Sequence, residues 1–321
     1  MGQMGSMHRQ GGEIGGRLRV LMATFQGERF LDAQLASIAN QDWPGIDVVV
    51  SDDGSTDGTI EILKRWQGAW NKGTFDLRSG PRAGFVENFR ALVVDPGAEA
   101  DFVAYADQDD IWHSDKVSEA VAALTRAAGP GAPALYCSRT RLVDETGRHL
   151  GTSPLFMRTP CFRNAVTQNI GGGNTMVMNR QAFTLVAESA RRTSFVTHDW
   201  WTYILVSGAG GAVVYDPVPH IDYRQHSGNL IGDNLSARAR LRRLRMLIEG
   251  RFADWNAINL EALARCEDLL DAEAAGIVRR FSIARNSALP ARLRALYDLG
   301  LHRQTTASSL ALYLAAVIGK I

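Results

Sequence analysis

Cysteine is scarce in this chain of 321 residues, and its three cysteines, Cys137, Cys161 and Cys266, stand far apart. An odd number of cysteines without a Cys-x-x-Cys pair argues against both a disulfide framework and a structural zinc site. Sparse cysteine fits a reducing compartment, so we expect the protein to act in the cytoplasm.

Long apolar runs are also absent. The most apolar stretch, SLALYLAAVI at residues 309–318, is much shorter than the roughly 20 residues that a membrane-spanning helix needs. The first 17 residues are rich in glycine and methionine and lack the apolar core of a signal peptide. We therefore predict a disordered extension over residues 1–17 and no transmembrane helix.

Neither sign of charge dominates, because 35 lysines and arginines face 34 acidic residues and leave a net charge of +1. No global field attracts nucleic acid, and we expect no nucleic-acid partner. Five arginines nevertheless crowd positions 238, 240, 242, 243 and 245. A solvated helix face is the ordinary interpretation of such a cluster, and a basic helix resting on anionic lipid is the sharper one.

Strand and helix spacing alternate through the first 126 residues. Strands are predicted at 18–24, 46–51, 74–77 and 101–106, and helices at 28–40, 59–66, 85–94 and 114–126. This order is typical of an α/β fold with helices on both faces of a sheet, in which ligands bind at the carboxyl ends of the strands. Short strands follow at 134–138 and 140–143, and beyond residue 236 almost everything has helical spacing. We expect one domain over 18–235 and a helical C-terminal region over 236–321.

Two of the predicted strands end in acid. The second strand runs into Asp52 and Asp53, and the fourth runs into Asp107, Gln108, Asp109 and Asp110. Carboxylates that share one cleft repel each other unless a cation or hydrogen-bond donors offset them. Mg²⁺ commonly binds one or two carboxylates together with substrate phosphates. The pattern therefore predicts a metal-bound phosphate ligand.

The usual phosphate and calcium motifs are missing. The sequence has neither GxxxxGK[ST] nor GxGxxG after its first strand. Asp53, Ser55 and Asp57 imitate the start of an EF-hand loop, but Lys64 stands where that loop requires a bidentate glutamate. A metal, rather than a glycine-rich loop, must then screen the diphosphate.

Two further groups lie downstream. Asp199 is flanked by His198 and by Trp200 and Trp201, which is typical of a partly desolvated carboxylate that serves as a general base. Residues 223–229, YRQHSGN, supply Arg224 and His226, and both side chains are suited to phosphate oxygens.

The segments ATFQGERFL, VVVSDDGSTDGT, YADQDDIW, THDWW and YRQHSGN, taken together, resemble family 2 glycosyltransferases of the GT-A fold. Within that family the sequence looks like bacterial rhamnosyltransferases that build cell-surface polysaccharides. The resemblance covers residues 18–229. It implies inverting transfer of a sugar from a nucleotide-sugar donor, assisted by Mg²⁺ or Mn²⁺, onto a glycan or lipid-linked acceptor.

The resemblance also implies a role for each candidate residue. Asp53 would accept the pyrimidine N3–H with Asp52 bracing the loop, Asp109 and His226 would hold the metal, and Asp199 would be the general base. The remaining nucleotide-sugar contacts would come from Thr24, Phe25, Glu28, Asp107 and Arg224, with His226 closing over the diphosphate. Gly172, Gly173, Trp200 and Trp201 would lie on the acceptor side. The chain departs from the family where His198 replaces a frequent glutamate and where Phe25-Gln26 replaces Tyr-Asn.

Structural explanations compete for several of these residues. Asp52 is explained equally well by bracing of the loop and by contact with the ligand. Asp57 and Asp110 are suited to capping the helices that follow them. Burial is the commoner fate of tryptophan, which competes with sugar stacking by Trp200 or Trp201.

The function that we predict is metal-dependent, inverting transfer of L-rhamnose from dTDP-rhamnose, with contact to the membrane surface through the C-terminal helices. The alternatives are a glycosyltransferase that uses a UDP-hexose or another nucleotide sugar, and a non-catalytic nucleotide- or sugar-binding module on the same fold. The joint presence of Asp53, Asp107, Asp109 and Asp199 argues against the module.

Overall fold

The alternating segments build a seven-stranded mixed sheet in the computed structural model, which describes residues 15–226 and 249–321. The strands of this sheet lie in the order β10-β6-β9-β4-β1-β2-β3. They are β1 (Leu18–Thr24), β2 (Ile46–Asp52), β3 (Phe75–Ser79), β4 (Phe102–Ala106), β6 (Ala134–Ser138), β9 (Val177–Asn179) and β10 (Ala212–Asp216). Among the described strands of this sheet, only β9 runs antiparallel to its neighbours, β4 and β6. The central strands β1 and β2 are buried almost throughout, because both of their faces are covered.

A second, four-stranded sheet flanks the first in the order β5-β11-β7-β8. It consists of β5 (Ile111–Trp112), β7 (Arg141–Val143), β8 (His149–Thr152) and β11 (Ile221–Arg224). Because β5 follows the acidic residues 107–110 directly and pairs with β11, this sheet brings the end of β11 beside them.

Helices cover both faces of the large sheet. One apolar layer holds α1 (Leu31–Ala39), α2 (Thr59–Ala69) and α4 (Lys116–Ala127), and the opposite layer holds α3 (Phe85–Val94), α5 (Phe162–Ala165), α6 (Arg180–Arg192) and α7 (His198–Gly208). Four more helices follow residue 249: α8 (Arg251–Arg265), α9 (Ala272–Arg285), α10 (Leu289–Asp298) and α11 (Thr306–Val317). The predicted α/β fold with C-terminal helices is therefore observed.

The C-terminal helices share the apolar layer of α7. The ring of Trp255 on α8 lies 6.4 Å from that of Trp200 on α7, and the backbone N–H of Asp271 donates to the carbonyl of Gly208 at 2.8 Å. The predicted boundary at 235/236 and the arginine cluster at 238–245 lie outside the described residues. Within the described ranges, no helix is long and apolar enough to cross a bilayer.

Most of the predicted element bounds agree closely with the structure, but α1 begins at Leu31 and not at residue 28. A turn precedes it, in which the N–H groups of Phe30 and Leu31 both donate to the carbonyl of Gly27, and Gln26 has a positive φ of 51°. The residues before Leu31 are instead engaged with the neighbouring loop after β2, as described below.

Candidate active site

The end of β1 is fastened to the end of β2 through Asp52. The hydroxyl of Thr24 donates to Asp52 Oδ2 at 2.9 Å, and the backbone N–H groups of Gly54 and Ser55 donate to Asp52 Oδ1 at 3.1 and 2.8 Å. Thr24 is buried, with 1% of its surface exposed. These contacts favour bracing by Asp52 over ligand contact, and they put the Thr24 side chain beneath the cleft surface.

Asp53 anchors a loop that the sequence analysis did not identify. Its carboxylate accepts the backbone N–H of Arg82 at 2.6 Å and that of Gly84 at 2.8 Å. Arg82 and Gly84 both have positive φ angles, 58° and 89°, so the loop curls tightly around the carboxylate. A carboxylate offers about four acceptor positions, which leaves capacity for an N–H of a nucleotide base.

The loop after β1 also holds the start of α2. Glu28 Oε2 accepts the N–H of Gly58 at 2.6 Å, while Asp57 accepts the N–H of Glu28 at 3.1 Å and that of Thr59 at 3.1 Å. Asp57 thus satisfies a free N–H of the first helical turn, and Glu28 joins two loops.

Gln108 clamps the end of β1 to the acidic segment after β4. Its side-chain oxygen accepts the N–H of Phe25 at 2.9 Å, and its side-chain nitrogen donates to the carbonyl of Phe25 at 2.9 Å. A Cβ atom at Gly27 would come within 2.5 Å of Gln108, so a side chain at Gly27 would disturb the clamp. The ring of Phe25 is left 54% exposed at this edge. The sequence analysis missed Gln108, although its place between Asp107 and Asp109 could have indicated it.

Asp107 and Asp199 come together at the carboxyl end of β4. Burial, together with the charges of Asp109 and Asp199, raises the pKa of Asp107 to about 7. Asp199 is 7% exposed and lies in the first turn of α7, where the free N–H groups of a helix favour negative charge. This arrangement brings a carboxylate from α7 up to the acidic segment that follows β4.

His198 does not contribute to this cleft. It is 5% exposed, and its ring stacks on that of Phe89 at 3.7 Å. Burial lowers the pKa of His198 to about 4, so the imidazole is neutral at physiological pH. A neutral ring therefore fills the position next to Asp199.

The end of β11 lies against Asp109. His226 Nε2 is 2.7 Å from Asp109 Oδ2, and Arg224 Nε donates to the Asp109 carbonyl at 2.9 Å. The Arg224 guanidinium also lies over the ring of Phe30 at 4.7 Å. A carboxylate, an imidazole and a guanidinium are thus grouped at one edge of the sheet.

Asp110 points inward and does not cap α4, so the capping interpretation is wrong. It is fully buried, and it accepts the side-chain N–H of Asn174 at 2.6 Å and the backbone N–H of Arg224 at 3.2 Å. The residue that precedes α4 is Asp115. Burial and the neighbouring Asp109 and Asp107 raise the pKa of Asp110 well above its usual range.

Trp200 and Trp201, which were expected on the acceptor side, are buried in the structure, with 6% and 0% of their residue surface exposed. Trp200 Nε1 donates to the Ala165 carbonyl at 2.7 Å, and Trp201 Nε1 donates to Ser189 Oγ at 2.9 Å. Both indoles anchor α7 to its neighbouring helices and leave no face for a sugar.

The two acceptor-side glycines differ from each other. Gly173 is buried, and a Cβ atom there would come within 2.3 Å of His198 Nε2, so packing requires a glycine. Gly172 is exposed and precedes a 3-10 turn over Gly173–Thr175. Of the two, Gly172 has the surface that an acceptor could approach.

The residues at Asp109 fit a divalent cation that is shared with a diphosphate. In the described part of the chain, no three His, Cys, Asp or Glu side chains form a metal-binding group. Asp109 and His226 nevertheless touch, and Mg²⁺ in nucleotide sites commonly takes one or two protein ligands and completes its shell with phosphate oxygens and water.

Residues 19–180, half of the chain, match the model of glycosyl transferase family 2, and the chain belongs to this family. It is therefore a glycosyltransferase that uses a nucleotide-sugar donor. The predicted family and enzyme class are confirmed.

Among curated relatives, the dTDP-rhamnosyl transferase RfbG of Shigella flexneri is 29% identical over 235 residues, which cover 70% of this chain and 78% of that protein. The poly(ribitol-phosphate) beta-N-acetylglucosaminyltransferase TarS of Staphylococcus aureus is 32% identical over 108 residues. That match covers 33% of this chain and only 18% of TarS.

Solved structures confirm the GT-A fold. Residues 1–349 of S. aureus TarS in complex with UDP superpose with a TM-score of 0.54 at 16% identity, covering 95% of this chain and 88% of that one. The mannosyltransferase PcManGT of Pyrobaculum calidifontis, in complex with GDP-Man and Mn²⁺, gives a TM-score of 0.50 at 19% identity, covering 96% and 88%.

Proposed function

We propose that this glycosyltransferase moves L-rhamnose from dTDP-rhamnose, with inversion, onto a glycan or lipid-linked glycan of the cell surface. The similarity to RfbG over 70% of the chain supports rhamnose as the sugar. The observation that carries the mechanism is the position of Asp199, a carboxylate on α7 beside the acidic end of β4.

Asp199 is the proposed general base. As the acceptor hydroxyl oxygen bonds to the anomeric carbon, Asp199 takes its proton, and the bond between that carbon and the diphosphate oxygen breaks. Positioned proton transfer of this kind contributes about 10²–10⁴-fold to a rate. No covalent intermediate is needed, because inversion is one in-line displacement.

The opposite side of the cleft is proposed to hold the donor. Asp53 accepts the base N–H, the exposed ring of Phe25 lies beside the base, and Asp107 contacts the ribose. Asp109 and His226 would hold Mg²⁺ or Mn²⁺, which supplies charge neutralisation on the leaving diphosphate. Arg224, at hydrogen-bond distance from the Asp109 backbone, is placed to contact the same phosphate oxygens.

We also propose a division of the chain into domains and a location in the cell. We propose a glycosyltransferase domain over 18–235 and a helical region over 236–321. Of the extension predicted over 1–17, residues 1–14 lie outside the described part of the chain, and Arg17 is bound to Asp47 at 2.6 Å. Scarce cysteine supports a cytoplasmic location, with peripheral contact at the membrane.

A panel of nucleotide sugars tests the function. The purified full-length chain is assayed for donor hydrolysis and transfer with dTDP-rhamnose, UDP-GlcNAc and GDP-mannose, with Mn²⁺ or with EDTA. We expect turnover with dTDP-rhamnose that is lost in EDTA and restored by added metal. A preference for another donor would contradict the assignment of rhamnose as the transferred sugar. Turnover that persists in EDTA would contradict the role of the metal. Inactivity with all donors would favour a non-catalytic binding module.

A further inference from the structure

His226, the proposed second ligand of the cation, lies just beyond the end of a strand. Hydrogen bonding along β11 extends to Gln225, whose N–H donates to the carbonyl of Val143 at 2.7 Å. The next residue is His226, and its Nε2 atom lies 2.7 Å from Asp109 Oδ2. An imidazole can rotate about its side-chain torsions, so its orientation toward Asp109 depends on the groups that pack against the ring.

The ring of Phe30, in the turn before α1, packs against this imidazole. The two ring centroids are 4.9 Å apart, and the ring planes are inclined by 39°. Rings at this separation attract each other in offset or tilted arrangements, so the contact favours one orientation of the imidazole. The carbonyl of Phe30 accepts the N–H of Gln34 at 3.1 Å, and the adjoining Leu31 is fully buried. The backbone that carries the Phe30 ring is therefore anchored in the core.

Two guanidinium groups hold the Phe30 ring in turn. The Cζ atoms of Arg29 and Arg224 lie 4.8 and 4.7 Å from the ring centroid, within the distance at which an aromatic ring attracts a cation. Glu145, in the turn between β7 and β8, pairs through its carboxylate with Arg29, and its carbonyl accepts Arg224 Nη1 at 2.8 Å. Arg224 Nε donates to the carbonyl of Asp109. The ring, both cations and the metal-side carboxylate residue thus form one connected group.

We propose that Phe30 is a positioning residue, which holds the His226 imidazole in the orientation at which His226 and Asp109 bind a divalent cation. The inference rests on the proposed function, in which these two side chains hold Mg²⁺ or Mn²⁺. The side chain of Phe30 has no nitrogen or oxygen atom that could bind a cation, so it acts through the imidazole. Groups that orient a metal-binding histidine typically contribute about 10- to 100-fold to metal affinity.

Mn²⁺ binding to the purified full-length chain tests the proposal. Bound Mn²⁺ is measured by electron paramagnetic resonance in the presence of dTDP, UDP or GDP, so that the measurement does not depend on which donor the enzyme uses. Phe30→Leu removes the aromatic face but keeps an apolar side chain, whereas Phe30→Tyr keeps the ring. We expect Phe30→Leu to bind Mn²⁺ about tenfold more weakly than the unmodified chain, and Phe30→Tyr to restore the affinity.

Phe252→Leu is the matched control. Phe252 is partly buried, as Phe30 is, and a guanidinium, that of Arg303, also lies over its ring, at 5.4 Å. Phe252 belongs to α8 among the C-terminal helices, so we expect Phe252→Leu to bind Mn²⁺ with unchanged affinity. Unchanged Mn²⁺ affinity of Phe30→Leu, or an equal loss in Phe30→Leu and Phe252→Leu, would overturn the proposal. If Phe30→Leu does not fold, as judged by circular dichroism, Phe30→Met takes its place in the same comparison.

A double variant distinguishes positioning of the imidazole from a general disturbance of the site. His226→Ala removes the group through which Phe30 acts, so adding Phe30→Leu to it is expected to lower the Mn²⁺ affinity no further. Losses that add in the double variant would show that Phe30 does not act through His226. Absence of Mn²⁺ binding by the unmodified chain with all three nucleotides would contradict the metal site of the proposed function as well, whereas normal binding by Phe30→Leu contradicts only the role of Phe30.

Discussion

Asp199 is the residue whose replacement most directly tests the proposed chemistry. Asp199→Asn keeps the size of the side chain but removes the group that accepts the proton, so we expect turnover to fall about 10²–10⁴-fold while the affinity for donor stays close to that of the unmodified enzyme. Steady-state transfer and equilibrium donor binding provide the two measurements. Asp298→Asn, an exposed exchange on α10, serves as the control. Near-normal turnover of Asp199→Asn would contradict the assignment of Asp199 as the general base.

Asp110 is a buried carboxyl group that acts on the buried ammonium of Lys116. Lys116 is fully buried with its ammonium 3.6 Å above the ring of Trp112, burial lowers its pKa to about 7, and the charge of Asp110 opposes that effect. Asp110→Asn removes the charge that acts on the buried Lys116, and a buried polar group left without compensation costs about 1–3 kcal/mol of unfolding free energy. Urea denaturation measures this loss.

A double variant that combines Lys116→Met with Asp110→Asn is compared with the single variant. Because it removes both charges, we expect it to recover most of the stability that Asp110→Asn loses. A double variant as unstable as Asp110→Asn alone would show that Asp110 stabilises the fold through its hydrogen bonds to Asn174 and Arg224 and not through its charge.

At the scale of elements, a cross-strand ion pair holds the smaller sheet together. Arg141 on β7 contacts Asp222 on β11 at 2.5 Å, and His113 contacts the same carboxylate at 2.8 Å. Burial acts to raise the pKa of Asp222, but the bonds and charges of His113 and Arg141 outweigh it and lower that pKa to about 2.

The sign of this pKa shift defines a pH dependence. Because the folded pKa of about 2 is below the unfolded value of about 3.9, the carboxylate stabilises the fold above pH 4 and loses that effect as the pH falls toward 2. We expect Asp222→Asn to have a lower urea midpoint at pH 7 and the difference from the unmodified chain to shrink below pH 4. Asp298→Asn, a change at an exposed position on α10, is the control. A constant difference from pH 7 to pH 3 would contradict the assignment.

Local patterns predicted the elements but not how they are ordered in the sheet. The bounds of β1, α3 and β6 follow from the sequence because β1 and β6 are short, largely apolar runs and α3 has a helical apolar period. The insertion of β9 between β4 and β6 depends on pairing between distant segments, and no local period encodes it. The two residues of β5 are too few to show any period.

The same distinction applies to the site. The acidic ends of β2 and β4 were evident from the sequence, because parallel strands place their carboxyl ends on one edge. The loop at Arg82 and Gly84 was not, since its contact with Asp53 is made through backbone N–H groups that any sequence possesses. The sequence left burial and sugar stacking of Trp201 open, because an exposed and a buried indole look alike in the sequence.

At the scale of the whole molecule, the relation of the C-terminal helices to the sheet decides whether they are a separable appendage. Leu263 on α8 and Phe281 on α9 are 1% and 0% exposed and belong to the same apolar layer as Trp201 on α7. A Cβ atom at Gly208, at the end of α7, would meet Leu270 at 2.8 Å and Phe162 at 2.9 Å. The contact therefore has the close packing of a core.

This packing predicts that a chain ending at residue 235 does not fold as a stable unit. Removing the C-terminal helices uncovers the apolar surfaces of α5 and α7, and each large side chain that becomes exposed forfeits about 1.5–3 kcal/mol of burial. Because a typical domain is stable by only about 5–15 kcal/mol, we expect the truncated chain to aggregate or to unfold without cooperativity. Urea unfolding followed by circular dichroism compares it with the full-length protein. A cooperative transition at an unchanged midpoint would show instead that the helices are an independent appendage, as the boundary predicted from the sequence at 235/236 implies.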